Sequence, residues 1–284
     1  MNPAPTNCKN CGNSVTSNYC GECGEKVYSD HDKSFGHIIE EGIHFITHLE
    51  GSFPATVKTI FIRPGKFSLD YCNGIRKKYF KPISLFLMVV VIYLIFPLAQ
   101  GLNLSLDLMI SGSRSNGMGW VQQAAEVKAA TRGISMEQLA ERYDHKSPKF
   151  AKIMLFLLLP MAAFLLKILF YKKRRYYFDH FILGTELVTH FILVAFLIIP
   201  LSLYLVAVVI QFTTGKIFDY SDSLMGPLII LALIPSWTIA LKRFYQEKTG
   251  WAILKTVLFL VAFTLLCLFI IYRLIIYFTI LLFL

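Results

Sequence analysis

The strongest chemical signal in the chain is a set of four thiols in two Cys-x-x-Cys pairs, Cys8-Lys9-Asn10-Cys11-Gly12 and Cys20-Gly21-Glu22-Cys23-Gly24. Each pair spans a tight turn, and the glycine that follows lets backbone N–H groups approach the sulfurs, as in a zinc ribbon holding a tetrahedral ion. The stretch from Gly12 to Tyr19 is long enough for a minimal hairpin between the two knuckles. Iron in a rubredoxin-like site would use the same residues, but nothing nearby points to electron transfer. One structural Zn2+ on Cys8, Cys11, Cys20 and Cys23 is therefore expected. Two disulfides are the competing reading, and they require an oxidising compartment. A shell of four cysteines leaves no open coordination position, which argues for a structural ion over a catalytic one. Cys72 and Cys267 read as inert small apolar residues.

A second group of candidates lies further along. From Ser34 to Leu49 the apolar residues Phe35, Ile38, Ile39, Ile43, Ile46 and Leu49 recur at helical spacing. His37, Glu41, His44 and His48 then fall within an arc of about 60° on one helix face. An i, i+4 pair such as His44 and His48 can chelate one ion, so the stripe is a candidate second metal or proton-handling site. The competing account is the polar face of an amphipathic helix on a membrane surface. Asp179 and His180 sit at one end of a long apolar stretch, with Glu186 and His190 one turn apart inside it. Ionisable residues in a bilayer face a partner or a wet cavity. Glu186 and His190 are thus either a functional pair, with the histidine stripe in reach below, or a pin between helices.

The elements that must position these groups follow from composition. Of 284 residues, 55% are hydrophobic and 16% charged, and the mean hydropathy is +0.56. A water-soluble body needs roughly a quarter of its residues charged, so the chain reads as a membrane protein. The net charge of +10 fits topology and anionic lipid, and no nucleic-acid partner is expected in so apolar a chain. Five apolar stretches recur, Ile83 to Ala99, Ala151 to Tyr171, Phe181 to Ile210, Leu224 to Leu241, and Ala252 to the end. The expectation is an all-α integral membrane protein of about five transmembrane helices, with a small N-terminal zinc ribbon and amphipathic juxtamembrane helices. Its parts are a ribbon at 1–30, a cytoplasmic amphipathic and basic segment at 31–82, and a membrane domain at 83–284.

Pro200 offers a kink to the long third stretch. In the last stretch, Arg273 falls about 20 residues beyond Trp251, at the far interface, which leaves Leu274 to Leu284 to lie along that surface or line a contact. Basic residues concentrate at Lys58 to Lys81, Lys172 to Arg175 and Lys242 to Lys255. Positive-inside reasoning places these and the N-terminus in the cytoplasm, with the C-terminus outside. The start, Met-Asn-Pro-Ala-Pro-Thr, lacks the form of a cleaved signal peptide. The outer loop at 100–150 is too long for a bare connection. Ser135 and Gln138 resemble a capping box for a helix from Met136 to Tyr143, and Trp120 to Thr131 reads as a second helix with Trp120, Ala124 and Val127 on one stripe. A lid over helix ends is the reading adopted, ahead of a partner surface.

The run His44-x3-His48, Thr59, Arg63-Pro64-Gly65, Tyr71-x2-Gly74-x-Arg76-x2-Tyr79-x2-Pro82 resembles a bacterial family of unknown function, DUF3667. The resemblance covers His44 to Phe86 and implies a short zinc ribbon, this motif and several membrane helices, with no activity attached. Ile75 stands where the family pattern has Lys. From the residues themselves, Pro64-Gly65 turns the chain. Arg63, Arg76, Lys77, Lys78, Tyr79 and Lys81 are expected to contact lipid headgroups. Tyr71, Arg76 and Tyr79 lining a headgroup pocket is the alternative.

Two functions are compatible with these features. One is a zinc-binding, non-enzymatic inner-membrane adaptor, assembly or regulatory component that docks a cytoplasmic protein partner or anionic lipid. The other is a membrane-embedded metal-dependent enzyme or small transporter built on His44, His48, Glu186 and His190, with His37, Glu41 and His180 nearby. No phosphate loop, nucleophile elbow or His-Glu-x-x-His occurs, which favours the first. Either is compatible with an oligomer.

Overall fold

The computed structural model describes residues 6–8, 11–16, 21–23, 52–76, 78–99, 102, 105–113, 119–173, 176–215 and 222–283. Cys20, His37, Glu41, His44, His48 and Lys77 lie outside these residues. The chain divides into two compact units, Met1–Pro54 and Ala55–Leu284. Residues 55–82, read from the sequence as part of a separate juxtamembrane segment, thus group with the membrane helices.

In the first unit, β1 (Thr6–Asn7) pairs antiparallel with β2 (Ser14–Val15), with Thr6 opposite Val15 and Asn7 opposite Ser14. The connection is a knuckle. The Cys8 N–H donates to the Asn13 carbonyl at 2.7 Å and the Gly12 N–H to the Cys8 carbonyl at 2.8 Å. Gly12 takes φ +79° with nothing near its Cβ position, so backbone conformation alone calls for glycine there.

The second unit is helical. A helix over 52–62, α1, runs into it and is followed by α2 (Lys66–Cys72) and α3 (Pro82–Ile95). Next come α4 (Leu106–Ser113), α5 (Gly119–Arg132), α6 (Met136–Leu169), α7 (Tyr177–Thr214), α8 (Asp222–Tyr245) and α9 (Thr249–Ile280). Among the described residues, four helices, α6 to α9, are long and apolar enough to cross a membrane, and α3 is a shorter apolar helix where the first span is expected. At 14 residues, α3 rises about 21 Å against a hydrocarbon core of roughly 30 Å. It stops there because Pro97 follows and disfavours helical backbone at Phe96, which sits at φ −118°, ψ 75°. Large apolar side chains point outward along α7, including Leu201, Leu205, Val209 and Phe212, the last 92% exposed. Water does not tolerate such a surface, and acyl chains do.

Three local details differ from the sequence reading. The helix expected to end at Tyr143 continues as α6 through Pro148 into the next span. Pro148 and Pro160 both lie within it, and neither ends the helix. The stripe on α5 is offset by one residue. Val121, Ala125 and Ala129 are buried, whereas Val127 is 62% exposed. With alanines at 124, 125 and 129, helical periodicity admits both faces, and the packing partner decides. That partner includes the far end of α9, because Leu106, Val121, Leu139, Tyr143, Ile276 and Ile280 share one apolar core. Of the two courses expected for the residues after Arg273, the chain therefore takes the contact. The Arg273 guanidinium lies over the Trp120 ring, 5.7 Å from its centroid.

In α7 the turn Leu193–Ile198 is a π-helix just before Pro200. Pro200 has no N–H to return to the carbonyl of residue 196, and the widened turn is the local adjustment that such a position invites. Close packing of α6 on α7 depends on Gly184, where an added Cβ would lie 3.1 Å from the Ala163 nitrogen.

Candidate functional site

Three of the four ribbon cysteines are described, and they converge. One ligand atom each from Cys8, Cys11 and Cys23 lies within 4.8 Å of the others, and the Cys8 and Cys23 sulfurs are 3.5 Å apart. That separation exceeds a disulfide bond of about 2.05 Å. It is near the edge of a tetrahedron, about 3.8 Å, set by Zn–S bonds of about 2.3 Å. Cys8 is buried beside Val15, and Cys11 and Cys23 are exposed. The set can hold a metal ion, and the thiolate donors suit a soft cation.

The second unit has its own polar centre, and it differs from the pairing expected within α7. Glu186 and His190 are both buried but serve different partners. The Gly65 N–H donates to Glu186 Oε1 at 2.7 Å, the Ser68 N–H to Oε2 at 3.0 Å, and the Ser68 hydroxyl to Oε2 at 2.5 Å. These donors form the amino end of α2, which has no side-chain cap of its own, since Gly65 occupies the cap position at φ +76°. A carboxylate from α7 thus caps a helix from elsewhere in the chain and meets the positive end of its dipole. Arg243 on α8 donates through Nη1 to the Pro64 carbonyl. An added Cβ on Gly65 would lie 2.5 Å from the Ala240 carbonyl oxygen and 2.7 Å from its Cα. Arg63-Pro64-Gly65 is therefore a joint that binds α2 to both α7 and α8.

His190 accepts from the Trp237 indole N–H at 3.2 Å through Nδ1, and Phe61 meets its ring edge-on at 4.9 Å. His180 Nδ1 lies 2.6 Å from the Tyr245 hydroxyl, and Tyr245 stacks on Phe170 at 3.7 Å. Whether the histidine stripe lies under α7 concerns residues outside the described ones.

The basic residues also divide. Tyr79 is buried at 5% exposure, and its hydroxyl donates to Asp70 Oδ2 at 2.6 Å, so it points into the joint. Burial works against ionisation of Asp70, but the Tyr79 hydroxyl and the Lys66 ammonium, at 3.1 Å, outweigh it and hold the carboxyl below its ordinary value. Burial first and the hydrogen bond to Asp70 second push the Tyr79 phenol up. Arg76 lies over the Tyr71 ring at 5.3 Å, and Arg63, Lys78 and Lys81 are exposed. At the start of α9, Lys255 donates to Glu247 at 2.7 Å and Lys173 approaches it at 3.5 Å.

Sequence reasoning missed Ser68, Asp70, Trp237, Arg243 and Tyr245. The available signal was a short helix after Pro-Gly with no capping residue, together with a lone carboxylate in an apolar stretch. Neither a curated protein nor a solved structure matches the chain. Residues 50–94, which carry α1, the Pro-Gly joint, α2 and all but the last residue of α3, match the family model for a protein of unknown function, DUF3667.

Proposed function

We propose that the chain is a non-enzymatic adaptor, assembly or regulatory component of a bacterial cytoplasmic membrane, whose zinc-loaded cysteine head docks a cytoplasmic protein partner. Cys8, Cys11, Cys20 and Cys23 hold one Zn2+, and its closed thiolate shell makes the head a shaped surface with no open coordination position. The basic end of the bundle faces the cytoplasm against anionic headgroups, and the C-terminus lies outside.

The occupancy of Glu186 carries this reading. Gly65 and Ser68 take both of its oxygens, and Trp237 takes Nδ1 of His190. These polar groups hold the bundle together and do not converge on a vacant centre. The test is elemental analysis and crosslinking of the full chain beside a Cys8→Ser/Cys11→Ser variant. The wild type is expected to carry one zinc and capture a partner, and the variant to lose both while still inserting. Unchanged capture by the variant overturns the docking role. A second metal equivalent that survives in the variant and is lost on replacing His44 and His48 would favour a metal-dependent enzyme instead.

A further inference from the structure

Beside the joint lies an open cleft of about 290 Å³, lined among others by Lys58, Ile62, Arg63, Lys66, Lys78 and Tyr79. Four of these residues are cations, and they come from two walls. Lys58 and Ile62 belong to α1, whereas Lys66, Lys78 and Tyr79 belong to α2 and the turn after it. The walls are fixed to each other, because the Phe80 N–H donates to the Thr56 hydroxyl oxygen at 2.9 Å. The floor is fixed as well, with Tyr79 held by Asp70 and packed edge-on against Phe67 at 5.3 Å.

Charge is left over in this cleft. Asp70 and Glu186 are the nearby carboxylates; Lys66 and Tyr79 already engage the two oxygens of Asp70, and Gly65 and Ser68 those of Glu186. Among the described residues, Lys58, Arg63 and Lys78 have no ion pair. Cations gathered on a preformed wall suit an anion with several acceptor oxygens, which is the chemistry of a phosphate ester. The lining also has an apolar part, since Ile62 is one of its residues and is 64% exposed. A phosphate carrying acyl chains satisfies both features, and a free phosphate satisfies one.

We propose that this cleft, formed by Lys58, Arg63, Lys66 and Lys78 between α1 and the turn after α2, is a binding site for the phosphodiester headgroup of an anionic phospholipid. It narrows the headgroup contact of the bundle's basic end to one place and rests on the proposed function only for its membrane surface. Partner capture by the cysteine head is independent of it.

The experiment reconstitutes the full chain in phosphatidylcholine nanodiscs with labelled phosphatidylglycerol as the probe. A Lys58→Gln/Arg63→Gln/Lys78→Gln variant is compared with a Lys172→Gln/Lys242→Gln/Lys248→Gln variant, which removes the same charge outside the cleft. The cleft variant is expected to bind the probe about a hundredfold more weakly and the control to stay within a fewfold of wild type. Equal loss in both variants means a diffuse collar and overturns the site. Displacement of the probe by inorganic phosphate at matched concentration assigns the cleft to a soluble phosphate and overturns the lipid. As a check that needs no variant, a photoactivatable phosphatidylglycerol is expected to mark residues between 58 and 79 in the wild type. Adducts confined to other segments count against the proposal. A Cys8→Ser/Cys11→Ser chain is expected to keep the probe, so failure of the docking role and failure of the cleft are read separately.

Discussion

The two ends of the bundle are built on different physics. At the basic end, buried and part-buried polar groups fix the geometry, with Glu186 on the amino end of α2, Arg243 on Pro64, Tyr79 on Asp70 and Lys255 on Glu247. At the opposite end, α4, α5, the first turns of α6 and the tail of α9 meet through Leu106, Val121, Ala125, Leu139 and Ile280. Hydrogen bonds to buried backbone groups accept one arrangement and penalise the rest, whereas apolar contacts degrade by degrees. A joint that must hold the mouth of a cleft in one shape is better served by the first kind. The apolar cluster of α4, α5, α6 and α9 uses the second.

Substitutions can break this contrast, and Gly65→Ala is expected to have the largest effect. It combines a left-handed backbone with a clash against Ala240, for a loss on the order of 3 kcal/mol, read as a large drop in melting temperature in detergent. Glu186→Gln comes next, at about 1–3 kcal/mol, because its amide nitrogen turns a donor toward the N–H groups of Gly65 and Ser68. Limited proteolysis near Arg63 should rise with it. Ile280→Val at the far end should cost only about 0.5–1.5 kcal/mol. If it equals Glu186→Gln in the same melting assay, the distinction between the two ends fails.

The smallest expected effect is a pH shift. Asp70 and Glu247 are both held below their ordinary values, Asp70 against the pull of burial and Glu247 chiefly by the hydrogen bond from Lys255. Their contribution to stability is therefore present above the unfolded-state pKa and lost as pH falls through the lower folded-state value. Tyr79→Phe removes a hydrogen bond that holds Asp70 down. Melting curves across acid pH should then show stability beginning to fall at a higher pH than in wild type. An unchanged onset would mean that Lys66 alone sets the Asp70 charge.

Much of the scaffold was legible because long apolar runs and local capping are local properties. Ser135 accepts from the Gln138 N–H at 3.2 Å and the Gln138 side chain returns the bond, as the spacing implied. The turn at Pro64-Gly65 and a departure from regular helix near Pro200 were also within reach. The partner of Glu186 was not, because Gly65 is 121 residues away in sequence and helical periodicity tells which face a residue takes but not what meets it. The offset on α5 has the same origin, since alanines on adjacent faces leave the choice to the end of α9.

The distance between Glu186 and the helix it caps also sets an order of events. At a synthesis rate of about 5–20 residues per second, the ribosome reaches Glu186 on the order of ten seconds after Gly65 has been made. For that interval the amino end of α2 must be satisfied by water or by the translocation machinery. The joint is complete only when Glu186 and then Arg243 on α8 have both been made, so it takes its final form long after its own residues leave the ribosome.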